Sequence, residues 1–304
     1  MQDSGPWNGD ARKTYHAVGR EQAPDAAGGL HLVATPIGNL GDITLRALDV
    51  LASADAILCE DTRVTRKLLS RYNISTPSLV YNDHNAQRML PRLMKRLNEG
   101  NSLALVTDAG TPLISDPGYR LVEATIAADI PLHMLPGASA ALAGLVLSGL
   151  PSDGFFFAGF PPTRTTARQK RFAELAAIPG SIIFFESARR LAASLSDLHQ
   201  VLGDRPAAIA REITKLHEEV HRGSLGTLAK YYAEEGAPRG EIVITVAPPT
   251  IHKVDNDTLR AKLTDALAGQ SLRDAVAEVS TETGRARREV YRLALEISSE
   301  KPDT

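Results

Sequence analysis

Leu103-Ala-Leu-Val-Thr-Asp-Ala-Gly-Thr-Pro-Leu-Ile-Ser-Asp-Pro-Gly118 is the stretch that decides the fold. Leu103 to Val106 is a short apolar run and reads as a buried strand. It stops abruptly at Asp108, Gly110, Thr111 and Pro112, and Ser115, Asp116, Pro117 and Gly118 then lead into a helix expected near Tyr119. A loop leaving the carboxyl end of a strand is where open α/β sheets bind ligands. Glycine lets a backbone approach closely, and hydroxyls and carboxylates supply a few directed hydrogen bonds. Taken alone, the stretch reads equally well as an ordinary strand-to-helix turn, because Gly and Pro are common in such turns.

A second stretch has the same form. Leu30-His-Leu-Val-Ala34 reads as a strand and runs into Thr35-Pro-Ile-Gly-Asn-Leu-Gly-Asp42, which holds Pro36 and Gly38. Leu45, Leu48 and Leu51 then recur at helical spacing, with Thr44 or Asp42 as the cap. Gly38 and Gly41 do not make the Gly-x-Gly-x-x-Gly of a dinucleotide loop. Outward from these two stretches, strands near 30–34, 55–59, 78–81, 103–106 and 132–135 alternate with helices, the pattern of a parallel α/β domain.

The division that follows is a disordered tail over residues 1–28, an α/β domain with the main ligand loops over 29–150, a second α/β domain over 151–249 and a helical module over 250–304. In the second domain, strands are predicted at 155–160, 181–186, 207–211 and 241–247, with helices near 165–177, 188–202 and 224–235. In the module, Ser271 to Val279, then Thr283-Gly284, then Arg287 to Leu295 resembles a helix-turn-helix. A plain helical hairpin is the simpler reading, because Lys and Arg there are balanced by Asp and Glu.

Composition narrows the functional classes. A chain of 304 residues with 43% apolar content has ample core, and a net charge of −2 gives no global field toward nucleic acid. Cys59 is the sole cysteine, so no intramolecular disulfide forms and a reducing, cytoplasmic setting fits. No run approaches the ~20 apolar residues of a membrane span, and no secretory pattern opens the chain. Neither a Gly-x-x-x-x-Gly-Lys-Ser/Thr loop nor a Gly-x-Ser-x-Gly elbow occurs.

Several charged strand exits remain as candidates. Glu60, Asp61 and Arg63 pair adjacent carboxylates with a cation, although Asp61 also suits a helix cap. His84 lies in Tyr81-Asn-Asp-His-Asn85 with no second ligand at metal spacing, so no metal is expected. Ser139 and Ala140 sit where Pro136-Gly-Ala-Ser-Ala140 turns a strand into a helix, and small residues there let a helix end approach a ligand. Ala210, Arg211, Glu212, Lys215 and Gly240 stand at strand exits of the second domain. Arg63, Arg66, Lys67 and Arg71 form one basic group, and Arg164, Arg168, Lys170 and Arg171 another; a third, Arg88 to Arg96, reads as a solvated helix face.

Ala34 to Arg46, Glu60-Asp-Thr-Arg63, Thr107 to Gly118, Pro136 to Ala140 and Arg211-Glu-Ile-Thr-Lys215 occur in an order that resembles the tetrapyrrole methylase superfamily of class III methyltransferases. The likeness runs from about residue 30 to 298. Within the superfamily, the motifs are most similar to those of enzymes that methylate the 2'-hydroxyl of a cytidine in the decoding region of small-subunit (16S) rRNA. The resemblance implies two α/β domains with S-adenosylmethionine in the cleft between them, a homodimer, and small-subunit rRNA or the 30S particle as partner. It implies cofactor contacts from Pro36, Gly38, His84, Asp108, Gly110, Thr111, Ser115, Asp116, Ser139, Ala140, Ala210 and Gly240. RNA contacts are expected from Arg66, Lys67, Arg164, Arg168, Lys170 and Arg211. Where the superfamily would carry Tyr-Glu-x-Pro-His-Arg, this chain has Phe185-Glu-Ser-Ala-Arg-Arg190, so no catalytic role is assigned there. Methyl transfer to a hydroxyl needs a proton acceptor and a cation; Glu60 or Asp61 is the expected acceptor, with Arg63 or Lys215 as the cation. Rival readings are a methylase of a porphyrin-like ring, a non-catalytic RNA-binding protein and a nicotinamide enzyme.

Overall fold

Short, nearly continuous apolar runs, buried on both faces, build the centre of the first sheet. In the computed structural model, which describes residues 25–249 and 256–300, β1 (Gly29–Val33), β2 (Ala56–Cys59), β3 (Ser78–Val80), β4 (Ser102–Val106) and β5 (Leu132–Leu135) pair in the order β3-β2-β4-β1-β5. All four pairings are parallel. On one face Val33, Ile57, Cys59, Ala104 and Val106 pack under α1 (Leu45–Ser53) and α2 (Thr62–Arg71). On the other, Leu30, Leu32, Leu58, Leu103 and Leu105 pack under α3 (Ala86–Asn98) and α4 (Tyr119–Ala127). Thus the chain leaves β1 and β4, which are neighbours, toward opposite faces. That reversal opens a crevice at their carboxyl ends.

The second sheet is mixed. It comprises β6 (Phe155–Gly159), β7 (Ser181–Ser187), β8 (Pro206–Arg211), β9 (Glu219–Ser224) and β10 (Glu241–Val246), in the order β6-β7-β10-β8-β9. Only β6 and β7 are parallel; the other pairs are antiparallel. Strand β9 was not foreseen, because Glu219-Val-His-Arg-Gly-Ser224 carries no apolar alternation. As an edge strand it has one neighbour and no need of a buried face. Ile182, Phe184, Ile209, Ile242 and Ile244 pack under α6 (Thr165–Leu175), α7 (Leu191–Leu202) and α8 (Leu225–Glu235).

The opposite face meets α5 (Ala140–Ser148), the helix that follows the first sheet. Ala141 and Leu145 pack there with Ile183, Ala210 and Val243. A Cβ at Gly144 would stand 2.5 Å from Val243 Cγ1, so only glycine lets the helix lie this close. The two sheets therefore belong to one compact unit, which ends at Pro248.

Residues from Pro249 form a second compact unit. Its helices are α9 (Asn256–Gly269), α10 (Leu272–Thr283) and α11 (Arg287–Glu300). Leu259, Leu263, Val276, Val279, Val290, Ala294 and Ile297 make its own core. Ser271 caps α10 through Asp274 N, and Gly284 ends it at φ 63°. The tail expected over 1–28 lies outside the described residues up to residue 24.

Candidate active site

The loop after β4 is held by backbone bonds. Thr35 N donates to Gly110 O (2.9 Å) and Gly110 N donates to Thr35 O (3.0 Å), which ties the β1 exit to the β4 exit. Gly110 takes φ +88°, and Leu113 and Ser115 also lie in the left-handed region at φ 71° and 69°. Non-glycine residues pay for that conformation, and such strain gathers at functional sites. Thr111 Oγ1 donates to Ala138 O (3.3 Å) and ties the loop to the turn before α5.

The loop, the first turn of α5 and the α5-side face of the second sheet enclose a cavity of about 440 Å³. One wall carries Asp108, Thr111, Ser115, Asp116 and Ser139; the other presents apolar Ile213, Val243, Phe185 and Phe160 beside Glu186, Ser187, Gly240 and Glu241. Carboxylates dominate the electrostatics. Burial, followed by repulsion from Glu60, pushes Asp116 up to about 7. Burial raises Asp108, and burial together with Asp108 raises Glu60. Glu60 Oε1 is buried and has no hydrogen-bond partner.

Most of the expected ligand residues meet at this cavity: Asp108, Gly110, Thr111, Ser115, Asp116, Ser139, Ala140 and Gly240. Four lie elsewhere. His84 is exposed and does not reach the cavity, because the β3 exit lies at the far edge of the sheet. Pro36 and Ala210 are buried behind the lining, and Ile37 presents in place of Pro36. Gly38 supports another contact: a Cβ there would meet Lys215 Cγ at 2.5 Å, and Asn39 N donates to Thr214 Oγ1 (3.1 Å). The β1 loop is thus clasped to the loop between β8 and β9.

The catalytic expectations divide. Asp61 caps α2 by accepting from Arg63 N (2.8 Å) and pairs with Arg63 Nη2 at 2.6 Å. The Arg63 hydrogen bond holds its carboxyl down at about 2, so Asp61 is a poor proton acceptor. Lys215 Nζ is bound to Glu212 Oε1 (2.7 Å) and Glu241 Oε2 (2.8 Å). Both bonds are internal, and through them Lys215 ties the β8–β9 loop to β10.

Among the expected RNA contacts, Arg66, Lys67, Arg164 and Lys170 are exposed. Arg168 is not: it is buried, and its guanidinium meets Asp197 Oδ2 at 2.5 Å. A buried arginine with a full partner has nothing to offer a phosphate. Arg211 is half-buried and donates to Glu219 Oε2 (2.7 Å). Nothing in the residue pattern marks Phe160, Phe185, Ile213 or Val243 as lining, because apolar residues in and beside strands read only as core.

The model for the Tetrapyrrole (Corrin/Porphyrin) Methylases matches residues 29–229, and the model for the RsmI C-terminal HTH domain matches residues 253–298. The chain belongs to the tetrapyrrole methylase family of methyltransferases. It is similar to the ribosomal RNA small subunit methyltransferase I of Mesorhizobium japonicum, at 48% identity over 88% of this chain and 92% of the relative. The protein of the same name from Synechocystis is 42% identical over 89% and 99%. Among solved structures, a cobalt precorrin-4 methyltransferase shares the fold at TM-score 0.55 and 16% identity, over 72% of this chain and 94% of that one. The uroporphyrin-III C-methyltransferase of Thermus thermophilus, solved with S-adenyl homocysteine, follows at TM-score 0.50 and 19% identity, over 72% and 97%.

Proposed function

We propose that this chain transfers a methyl group from S-adenosylmethionine to the 2'-hydroxyl of a cytidine in the decoding region of small-subunit rRNA. The observation that carries the reading is the acidic cavity. Asp108 and Asp116 line it and Glu60 stands beside them; all three hold raised affinities for protons. Such a site favours a cationic ligand and rejects the pyrophosphate of a dinucleotide. The donor set fits a sulfonium cofactor: carboxylates for its positive charges, backbone at Gly110 and Gly240, and apolar Ile213 and Val243 for its flat ring. When bound, that cofactor supplies an already activated methyl group.

The chain's own residues then have to orient a hydroxyl and take its proton. Glu60 and Asp116 act as one acceptor pair, and the proton resides on the Asp116 carboxyl, which titrates near neutrality as a general base should. Relatives at 42–48% identity that are named ribosomal RNA small subunit methyltransferase I support the rRNA substrate. Exposed Arg66, Lys67, Arg164 and Lys170 support contact with its phosphates. The small-subunit particle in the cytoplasm is the setting this reading requires. Free, buried Cys59 suits a reducing compartment, and among the described residues no helix is long and apolar enough to cross a membrane. A homodimer is part of the proposal: Leu142 and Val146, one turn apart on α5, are 50% and 76% exposed, which suits an apolar interface.

Incubation of the protein with labelled S-adenosylmethionine and small-subunit particles from a strain lacking the gene tests the reading. Nuclease digestion and mass spectrometry should find one new ribose-methylated cytidine. Label on a base, or none on RNA, contradicts it.

A further inference from the structure

Phe160 is a large aromatic left in solvent at the edge of the cavity, and the structure gives it a rigid mount. It lines the cavity yet is 57% exposed. It meets Phe185 edge-on, with ring centroids 5.6 Å apart and planes at 64°. An edge-on contact leaves much of the ring open.

The mount begins in the core. Glu186 has a fully buried side chain; it accepts from Ser194 Oγ (2.5 Å) and from Arg190 Nε (2.8 Å). Arg190 Nη1 in turn donates to Pro161 O (3.1 Å), the residue after Phe160. Pro161 and Pro162 restrict the backbone further. On the other side Gly159, at φ +67°, abuts the β4 loop, where an added Cβ would lie 3.7 Å from Ser115 Oγ. A buried carboxylate, a half-buried arginine and two prolines thus fix one exposed ring beside the polar wall. Exposed Arg164 and Arg189 follow closely in sequence on the two elements that hold it.

We propose that Phe160 is the stacking platform for the target nucleobase, presented splayed out of the RNA, with Arg164 and Arg189 on the flanking phosphates. This rests on the RNA reading above. Sequence-specific RNA recognition uses unstacked bases laid on aromatic side chains, with cations on the backbone. The donor's own ring is the less suitable occupant, because Phe160 stands on the solvent side of the lining, whereas Ile213 and Val243 are buried. The Glu186–Arg190 pair thereby acquires a positioning role: it holds the platform through the Pro161 carbonyl.

The test uses the full chain with Phe160→Ala, Phe160→Leu and Phe160→Trp. Methyl transfer to unmethylated small-subunit particles is measured alongside S-adenosylmethionine affinity by calorimetry. Phe160→Ala should lower kcat/KM about ten- to a hundredfold, the range one stacked base is worth. Phe160→Leu should be similarly impaired, Phe160→Trp should remain near the parent, and donor affinity should hold in all three. Equal loss of donor affinity in Phe160→Ala would put the donor's ring on Phe160 and overturn the proposal. So would a Leu variant that works as well as the parent. If the parent chain transfers nothing to RNA, the RNA reading fails and this inference with it; if it transfers and Phe160→Ala changes nothing, only the platform is lost.

Discussion

Asp61 and Asp116 are both aspartates at strand exits of one sheet, and their surroundings separate them by several pKa units, about 2 against about 7. A partner guanidinium stabilises the charge on one; burial and neighbouring carboxylates oppose it on the other. The roles follow. Asp116→Asn and Glu60→Gln should cut kcat, whereas Asp61→Asn, which keeps the cap geometry, should leave it close to the parent value in steady-state assays. The parent's kcat/KM should rise with pH through about 7 as the pair ionises. Stability should move the opposite way. Asp116 binds its proton more tightly in the native chain than in the unfolded one, so its contribution is fully present below about pH 4 and is lost as pH climbs to about 7. Denaturant melts at pH 5 and pH 8 should therefore differ less for Asp116→Asn than for the parent. Arg168 illustrates how burial overrides charge. Its replacement by Met would strand Asp197 in the core and should cost roughly 3–5 kcal/mol in chemical denaturation. RNA affinity of the folded fraction should be unchanged.

Among the elements, α5 does the most to create the site. It leaves the first sheet, lends Ser139 and Ala140 to the cavity and packs on the second sheet through Gly144. Gly144→Ala would press a methyl into Val243, and overpacking of this kind costs about 1–3 kcal/mol. A lower melting temperature accompanied by weaker donor binding is the expected result. The first sheet was legible because most of its strands are apolar runs that stop at polar, Gly or Pro residues, so strand and loop announce each other. Leu103 to Gly118 is the clearest case. The polar wall of the cavity was legible for the same reason. The apolar wall was not. Val243 and Phe185 alternate as core residues do, and only the register of β7 and β10 decides which side chains meet the cavity, while Ile213 is delivered by the loop between β8 and β9. Lys215 and Gly38 meet where two loops are clasped, a contact that a cation and a glycine at strand exits do not announce.

At the scale of the molecule, a parallel sheet brings strained backbone and carboxylates to its tips, and a mixed sheet supplies an apolar face opposite. Neither half encloses a ligand alone. A ligand held by both walls should stabilise the whole sheet-bearing unit, by about 2.7 kcal/mol at a hundredfold excess over its Kd. Melting curves with S-adenosylmethionine should therefore rise while those with a nicotinamide dinucleotide stay put. The exposed stripe of Leu142 and Val146 predicts a dimer by sedimentation, shifted toward monomer by Val146→Glu. The central claim is that the cavity between Gly110 and Gly240 holds a cationic methyl donor. A crystal structure with S-adenosylmethionine tests it most directly: the account predicts donor density against Asp108, Asp116 and Val243, and density confined to any other surface, or a dinucleotide in that cavity, would contradict it.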